Sequence, residues 1–175
     1  MPTKEDHKAD KYFALWELLA RAQHAIYSAR ELELREYGVT PDQAYILLRV
    51  HQLKNKATQA QIAHFIFRKQ NTVSVNVKRM EKQGWLKKTR DRNRKNLVTL
   101  SLTKKGEEIY KITLNRDSIT NTMSSLSIEQ IEQLSSYLET LFTAAANELA
   151  KFNNNSFLKS ILENFRRPQN ENKEV

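Results

Sequence analysis

Apolar positions recur at helical spacing along most of the chain and switch to a period of two in one short stretch. Between residues 10 and 37, Phe13, Trp16, Leu19, Ala22, Ile26 and Leu34 follow the ~3.6-residue period of an amphipathic helix, and Gly38 supplies a stop. Thr40-Pro41-Asp42-Gln43 opens a second helix: Thr40 caps, Pro41 suits the first helical position, and Gln43 reaches back to the cap. Its buried side is Ala44, Leu47, Leu48 and Val50, and it ends near Leu53, where Lys54-Asn55-Lys56 makes a turn. Thr58-Gln59-Ala60-Gln61 repeats the capping box and starts a short helix with Ile62, Ala63 and Ile66 inward. After Phe67 a brief turn leads into a helix over about 70–83.

On that helix Val73, Val77, Met80 and Gly84 fall on one stripe. At about 100° per residue, Asn71, Val75, Lys78 and Lys82 lie opposite, flanked by Thr72, Ser74 and Arg79. The apolar stripe holds the helix to its neighbours and leaves the polar face free. From Trp85 the period changes. Val98, Leu100 and Leu102 alternate with Thr99 and Ser101 in a strand that begins at Leu97, its partner is 85–89, and 90–96 connects them. Thr103 caps a helix expected over 104–123, with Ile109, Ile112 and Ile119 on its apolar side. Ser127 and Gln130 then form a capping box, with a hydrophobic staple from Leu126 to Ile131. The helix that follows spaces Ile131, Leu134, Leu138, Leu141 and Ala145 by alternating threes and fours, which is a coiled-coil-like seam. Phe157, Leu158, Ile161, Leu162 and Phe165 predict one more short helix, before a polar tail after Arg167. The fold class is mainly α with a small β hairpin, that is, α+β.

Charge adds what the pattern lacks. Residues 54–105 hold 15 of the 29 Lys and Arg but only Glu81 and Asp91 of the 20 acidic residues, so this segment is +13 and the rest of the chain is −4. A basic helix followed by a basic hairpin, with the tip Arg90-Asp91-Arg92-Asn93-Arg94-Lys95-Asn96, suits a polyanion with two grooves. The absence of cysteine excludes disulfides, thiolate metal sites and a thiol redox switch. His7, His24, His51 and His64 include no pair at i, i+4, so a metal site is not expected. There is no glycine-rich phosphate loop or nucleophile elbow, so the chain reads as a non-enzyme without a cofactor. With no long apolar run, and a polar stretch from Met1 to Lys11, it is expected to be cytoplasmic and not a membrane protein.

From about 38 to 106 the chain resembles the MarR family of winged helix-turn-helix transcription regulators. The resemblance rests on Thr58-Gln59-Ala60-Gln61-Ile62-Ala63, on Asn71-Thr72-Val73-Ser74, on Met80-Glu81-Lys82-Gln83-Gly84-Trp85-Leu86 and on Leu102-Thr103-Lys104-Lys105-Gly106, in that order and spacing. It implies a winged domain at 38–103 and a dimerisation region built from the N-terminal helix (1–37) and the C-terminal helices (104–167), with a tail at 168–175. It further implies a homodimer on pseudo-palindromic duplex DNA, probed by a recognition helix in the major groove and a wing in a flanking minor groove. Carried onto this sequence, the groove-reading residues are Asn71, Thr72, Ser74, Val75, Lys78 and Arg79, with Thr58 and Gln59 at the start of the preceding helix. The wing residues are Arg90, Arg92, Asn93, Arg94 and Lys95.

Chemistry supports these roles independently: Asn pairs with adenine, Lys or Arg with guanine, and a valine can touch a thymine methyl. The family's Asp-x-Arg pair in the wing is replaced here by Arg94-Lys95-Asn96, with Asp91 and Arg94 as a shifted version, so Arg92 and Arg94 stand equal as the minor-groove arginine. Release by a small phenolic or other lipophilic effector is a property of many members, and Trp16, His24, Tyr27 and Tyr45 are the residue types such a pocket uses. Two other readings are a sequence-indifferent, nucleoid-type DNA binder and a winged helix used for protein contact. The polar face at 71–75 argues against the first, and Lys78, Arg79 and Lys82 against the second.

Overall fold

The computed structural model describes residues 4–90 and 97–152. Along them run α1 (Lys4–Arg35), α2 (Pro41–Gln52), α3 (Gln59–Phe65), α4 (Gln70–Lys82), β1 (Leu86–Arg90), β2 (Val98–Leu102), α5 (Lys104–Thr113), α6 (Asp117–Met123) and α7 (Ile128–Phe152). The class is the expected one, helices with a single antiparallel hairpin. Arg92, Asn93, Arg94 and Lys95, the helix expected at 157–165 and the tail lie outside the described residues.

The helix starts follow local chemistry. Thr40 and Gln43 exchange both hydrogen bonds of a capping box, at 3.3 and 3.0 Å. Thr58 and Gln61 do the same at 3.2 and 2.9 Å, and Ser127 and Gln130 at 3.3 and 2.9 Å. Gly38 (φ 64°) and Gly84 (φ 74°) turn the chain left-handed just beyond α1 and α4, where a β-carbon would be strained.

The core lies between α2, α3, α4 and the hairpin. Ile46, Leu47, Val50, Ile62, Val73, Val77, Met80 and Leu100 are all fully buried in it, and Leu34 and Val39 join from the end of α1 and the turn after it. Strand register pairs Leu86 with Leu102 and Arg90 with Val98, so Leu86, Leu100 and Leu102 point inward. Ala57 bridges the free edge of β2, with the Leu100 N–H donating to its carbonyl at 2.7 Å. The Leu102 N–H donates to Asn55 Oδ1 at 2.8 Å, which ties the α2–α3 turn to the base of the hairpin. At that base Gly106 sits against the Trp85 carbonyl, and a β-carbon there would overlap the carbonyl oxygen.

Two expectations about the long helices are corrected. The helix predicted over 104–123 is two helices, broken at 114–116. The break is filled from α1: Arg30 donates to the Asn115 carbonyl at 2.6 Å and to the Thr113 carbonyl at 2.7 Å, while holding Glu33 at 2.7 Å. Glu33 in turn accepts from the backbone N–H groups of Asp117 (2.9 Å) and Ser118 (3.3 Å) and from the Ser118 hydroxyl. Side chains distant in sequence thus satisfy the backbone groups freed by the break, which no local pattern encodes. The second correction concerns burial on α1, which starts at Lys4 rather than at residue 10. Leu34 is buried and Leu19 and Ile26 partly so, but Phe13 and Trp16 are about 60% exposed, because nothing else in the described chain covers the first half of α1. The α7 seam is likewise exposed at Ile131, Leu134, Leu138 and Leu141.

Gly106→Ala should destabilise the fold by about 1–3 kcal/mol, because backbone rather than a flexible side chain must move, and urea unfolding measures it. Glu33 yields a pH signature. Burial pushes its carboxyl up, but hydrogen bonds from Ser118 and Arg30 outweigh that and leave the pKa below the ordinary value. A depressed native pKa means the clasp stabilises above the unfolded carboxylate range and loses its effect as pH falls through the native value. Glu33→Gln should therefore cost about 1.5–3 kcal/mol at neutral pH, and the gap from the parent chain should close in acid.

Candidate nucleic-acid interface

The buried stripe Val73, Val77 and Met80 fixes the roll of α4 about its own axis, and the opposite face turns outward. Asn71, Thr72, Val75, Lys78, Arg79 and Lys82 are all exposed there, while Ser74 is half-buried. Val75 is 60% exposed, an apolar side chain left in water in the middle of a polar face. Asn76, beside that face, donates to the Thr72 carbonyl at 3.2 Å. Thr58 and Gln59 stand half-exposed at the start of α3, and the Thr58 hydroxyl is engaged as the cap of its own helix.

Strand alternation sorts the cations of the hairpin. Lys88 and Arg90 pair in register with Leu100 and Val98 and therefore point to the face nearer α4, whereas Lys87 points away. Lys88 reaches Glu81 of α4 at 2.7 Å, a tie between hairpin and helix that the sequence pattern did not disclose. That pairing neutralises one of the two acidic residues in the basic segment. Arg90 carries positive charge to the tip, beside the expected wing residues that fall outside the described chain.

A second feature is a cavity of about 240 Å³ between α1, α2, α5 and α6, lined by Arg30, Tyr45, Leu48, Tyr110, Leu114 and Ile119 among others. Of the four residues expected at such a pocket, it includes Tyr45 alone. Trp16 and His24 are exposed, and Tyr27 is half-buried elsewhere, with its hydroxyl meeting Arg68. Trp16 and Tyr27 share a helix face but stand ~16 Å apart along the axis, too far to line one small cavity. Burial raises the Tyr27 and Tyr110 hydroxyl pKa values, which keeps both neutral and able to donate. His51 stacks on Tyr110 with ring centroids 4.3 Å apart, a packing role for this histidine. Among the described residues no cluster of three or more His, Asp or Glu could hold a metal ion, and no helix is long and apolar enough to cross a membrane.

Residues 37–95 match the model of the MarR family. The transcriptional regulator SlyA superposes with a TM-score of 0.70 at 25% identity, over 79% of this chain and 99% of that one. Over residues 37–95 the chain is similar to the MarR family, and its fold is that of a winged helix. The organohalide-sensing transcriptional regulator RdhR, in its ligand-free and its 2,4-dichlorophenol-bound forms, is similar at 26% identity and a TM-score of 0.70, over 81% of this chain and 84% of that one. A variant of MarR from E. coli complexed with operator DNA shares the fold at 15% identity and a TM-score of 0.67, over 75% of this chain and 96% of that one. No curated protein sequence matches the chain significantly. In this fold α4 and the β1–β2 hairpin stand where the sequence analysis expects the recognition helix and the wing.

Proposed function

We propose that this chain is a homodimeric, sequence-specific regulator of transcription that reads duplex DNA through α4 and represses by occupying a pseudo-palindromic operator. The observation that carries this reading is the outer face of α4, where Asn71, Val75 and Lys78 stand exposed within a segment of charge +13. Amide, methyl and ammonium groups on one accessible helix face match the donor, acceptor and methyl pattern of a major groove. Thr72, Ser74 and Arg79 flank the base edges, and Thr58 and Gln59 meet the backbone at the start of α3. Arg90, Arg92, Asn93, Arg94 and Lys95 serve the minor groove and its phosphates, where short basic loops suit a narrow, electronegative channel.

Dimerisation explains the rest of the surface. Phe13, Trp16, Leu134, Leu138 and Leu141 are exposed apolar side chains on α1 and α7, and a two-fold partner covers such faces while aiming two recognition helices at one side of a duplex. The fold also occurs in complex with DNA in MarR from E. coli and MepR from S. aureus. Release by a small lipophilic or phenolic effector fits the cavity beside Tyr45 and Tyr110, and RdhR binds 2,4-dichlorophenol.

DNase footprinting with genomic DNA, followed by gel shifts on the protected fragment, tests the reading. Asn71→Ala or Lys78→Ala should cost roughly 1–3 kcal/mol on the operator and less on random DNA. Replacing Arg92 and Arg94 together should weaken both more evenly. Equal losses on the two DNAs for the helix variants would favour a sequence-indifferent binder, and no binding to either a protein-contact module. Salt gives an independent check. If about a third of the 15 cations in 54–105 meet phosphates in each subunit, a dimer makes on the order of 10 contacts. Affinity should then fall roughly as the ninth power of salt, and a change of less than about threefold between 50 and 200 mM would exclude the phosphate-dominated complex.

A further inference from the structure

The turn from α3 into α4 is built against its own local preference. α3 closes with the Arg68 N–H donating to the Ala63 carbonyl at 3.0 Å and the Phe67 N–H to the His64 carbonyl at 3.3 Å. This closure places Phe67 in the left-handed region, at φ 53°. At the equivalent step after α1 and α4 the chain uses Gly38 and Gly84, as a left-handed helix stop favours, and after α2 it uses Lys54, at φ 51°. A phenylalanine there is disfavoured by its β-carbon, and contacts outside the turn offset that cost.

Those contacts lead to the long helices. The Phe67 ring meets Phe142 of α7 edge-on, with centroids 5.5 Å apart. The next residue, Arg68, reaches the Asp42 carboxylate at the start of α2, at 3.3 Å, and the Tyr27 hydroxyl on α1. α4 begins two residues later, and its cap residue Lys69 makes no side-chain capping bond. The entry of the recognition helix is therefore anchored to α1, α2 and α7 through Phe67 and Arg68, rather than by a cap of its own.

We infer that Phe67 on Phe142, with Arg68 on Asp42 and Tyr27, forms a latch that sets the pitch of α4 relative to α1 and α7 and so fixes the half-site spacing the dimer accepts. This rests on the reading of the chain as a dimeric DNA reader. The lever is long enough for the effect. α4 is 13 residues, about 20 Å, so tilting the winged unit by roughly 10° about the start of α4 moves the far end of that helix about 3.4 Å, close to the rise of one base pair. Phe67 and Arg68 are positioning residues here and are not assigned to DNA contact.

The test compares Phe67→Gly, which relaxes the backbone as it removes the ring, with Phe142→Ala on the opposite helix. Full-length protein is titrated against the footprinted operator, against the same operator with one base pair inserted between the half-sites, and against an isolated half-site. The parent chain should lose about tenfold or more on the insertion, because its two readers cannot both engage. Both variants should lose less than about threefold on the insertion, keep parental half-site affinity, and sediment as dimers. Parental spacing discrimination in both variants would overturn the latch. So would a loss on the half-site as large as that on the operator, which would mean damage to the reading face itself. Failure of the parent chain to protect any DNA would instead refute the functional reading beneath it.

Discussion

Burial of Val73, Val77 and Met80 between α2, α3 and the hairpin is the constraint on which the winged domain depends. These side chains give α4 one orientation about its axis, and each contributes roughly 1.5–3 kcal/mol when taken fully out of water. A rotation of one residue, about 100°, would bury Ser74 and Lys78 and expose the valines. The polar face is thus held outward by the cost of the alternative, without any bond of its own. Val75, on the side opposite that stripe, stays 60% exposed.

The hairpin extends that constraint to a second element. Leu86, Leu100 and Leu102 enter the same core, so strand alternation places Lys88 and Arg90 on the α4 side. Ala57 and Asn55 bond along the outer edge of β2, and Gly106 lets α5 begin against the Trp85 carbonyl. Helix, hairpin and α5 are in this way one packed unit, and the cations it carries hold fixed relative positions.

Beyond the winged unit the bonds change character. α1 meets α5 and α6 through the Arg30–Glu33 clasp, a charged group buried among backbone carbonyls and N–H groups. α1 and α7 reach the start of α4 through Tyr27, Arg68, Phe67 and Phe142. These are directional contacts between a few side chains, added to the apolar packing of Leu34 against the winged domain.

Local chemistry made much of this legible from residues alone. The capping boxes at Thr40, Thr58 and Ser127, the stops at Gly38 and Gly84, the stripe on α4 and the alternation in β2 are all short-range patterns, and the structure repeats them almost residue for residue. The basic segment and its exposed helix face were legible for the same reason, since helical periodicity assigns a residue's side once the apolar stripe is known. Tertiary structure decided what periodicity cannot carry. It broke 104–123 into α5 and α6, because Arg30 and Glu33, more than 80 residues earlier, satisfy the freed backbone groups. It left Phe13 and Trp16 in water despite their helical spacing, because amphipathicity marks a face without saying which surface covers it. It drew a cavity around Tyr45 that excludes Trp16 and Tyr27, and it put a phenylalanine at a left-handed helix stop that α1 and α4 fill with glycine. Each of these depends on contacts between residues far apart in the chain, whose geometry exists only once the helices have packed.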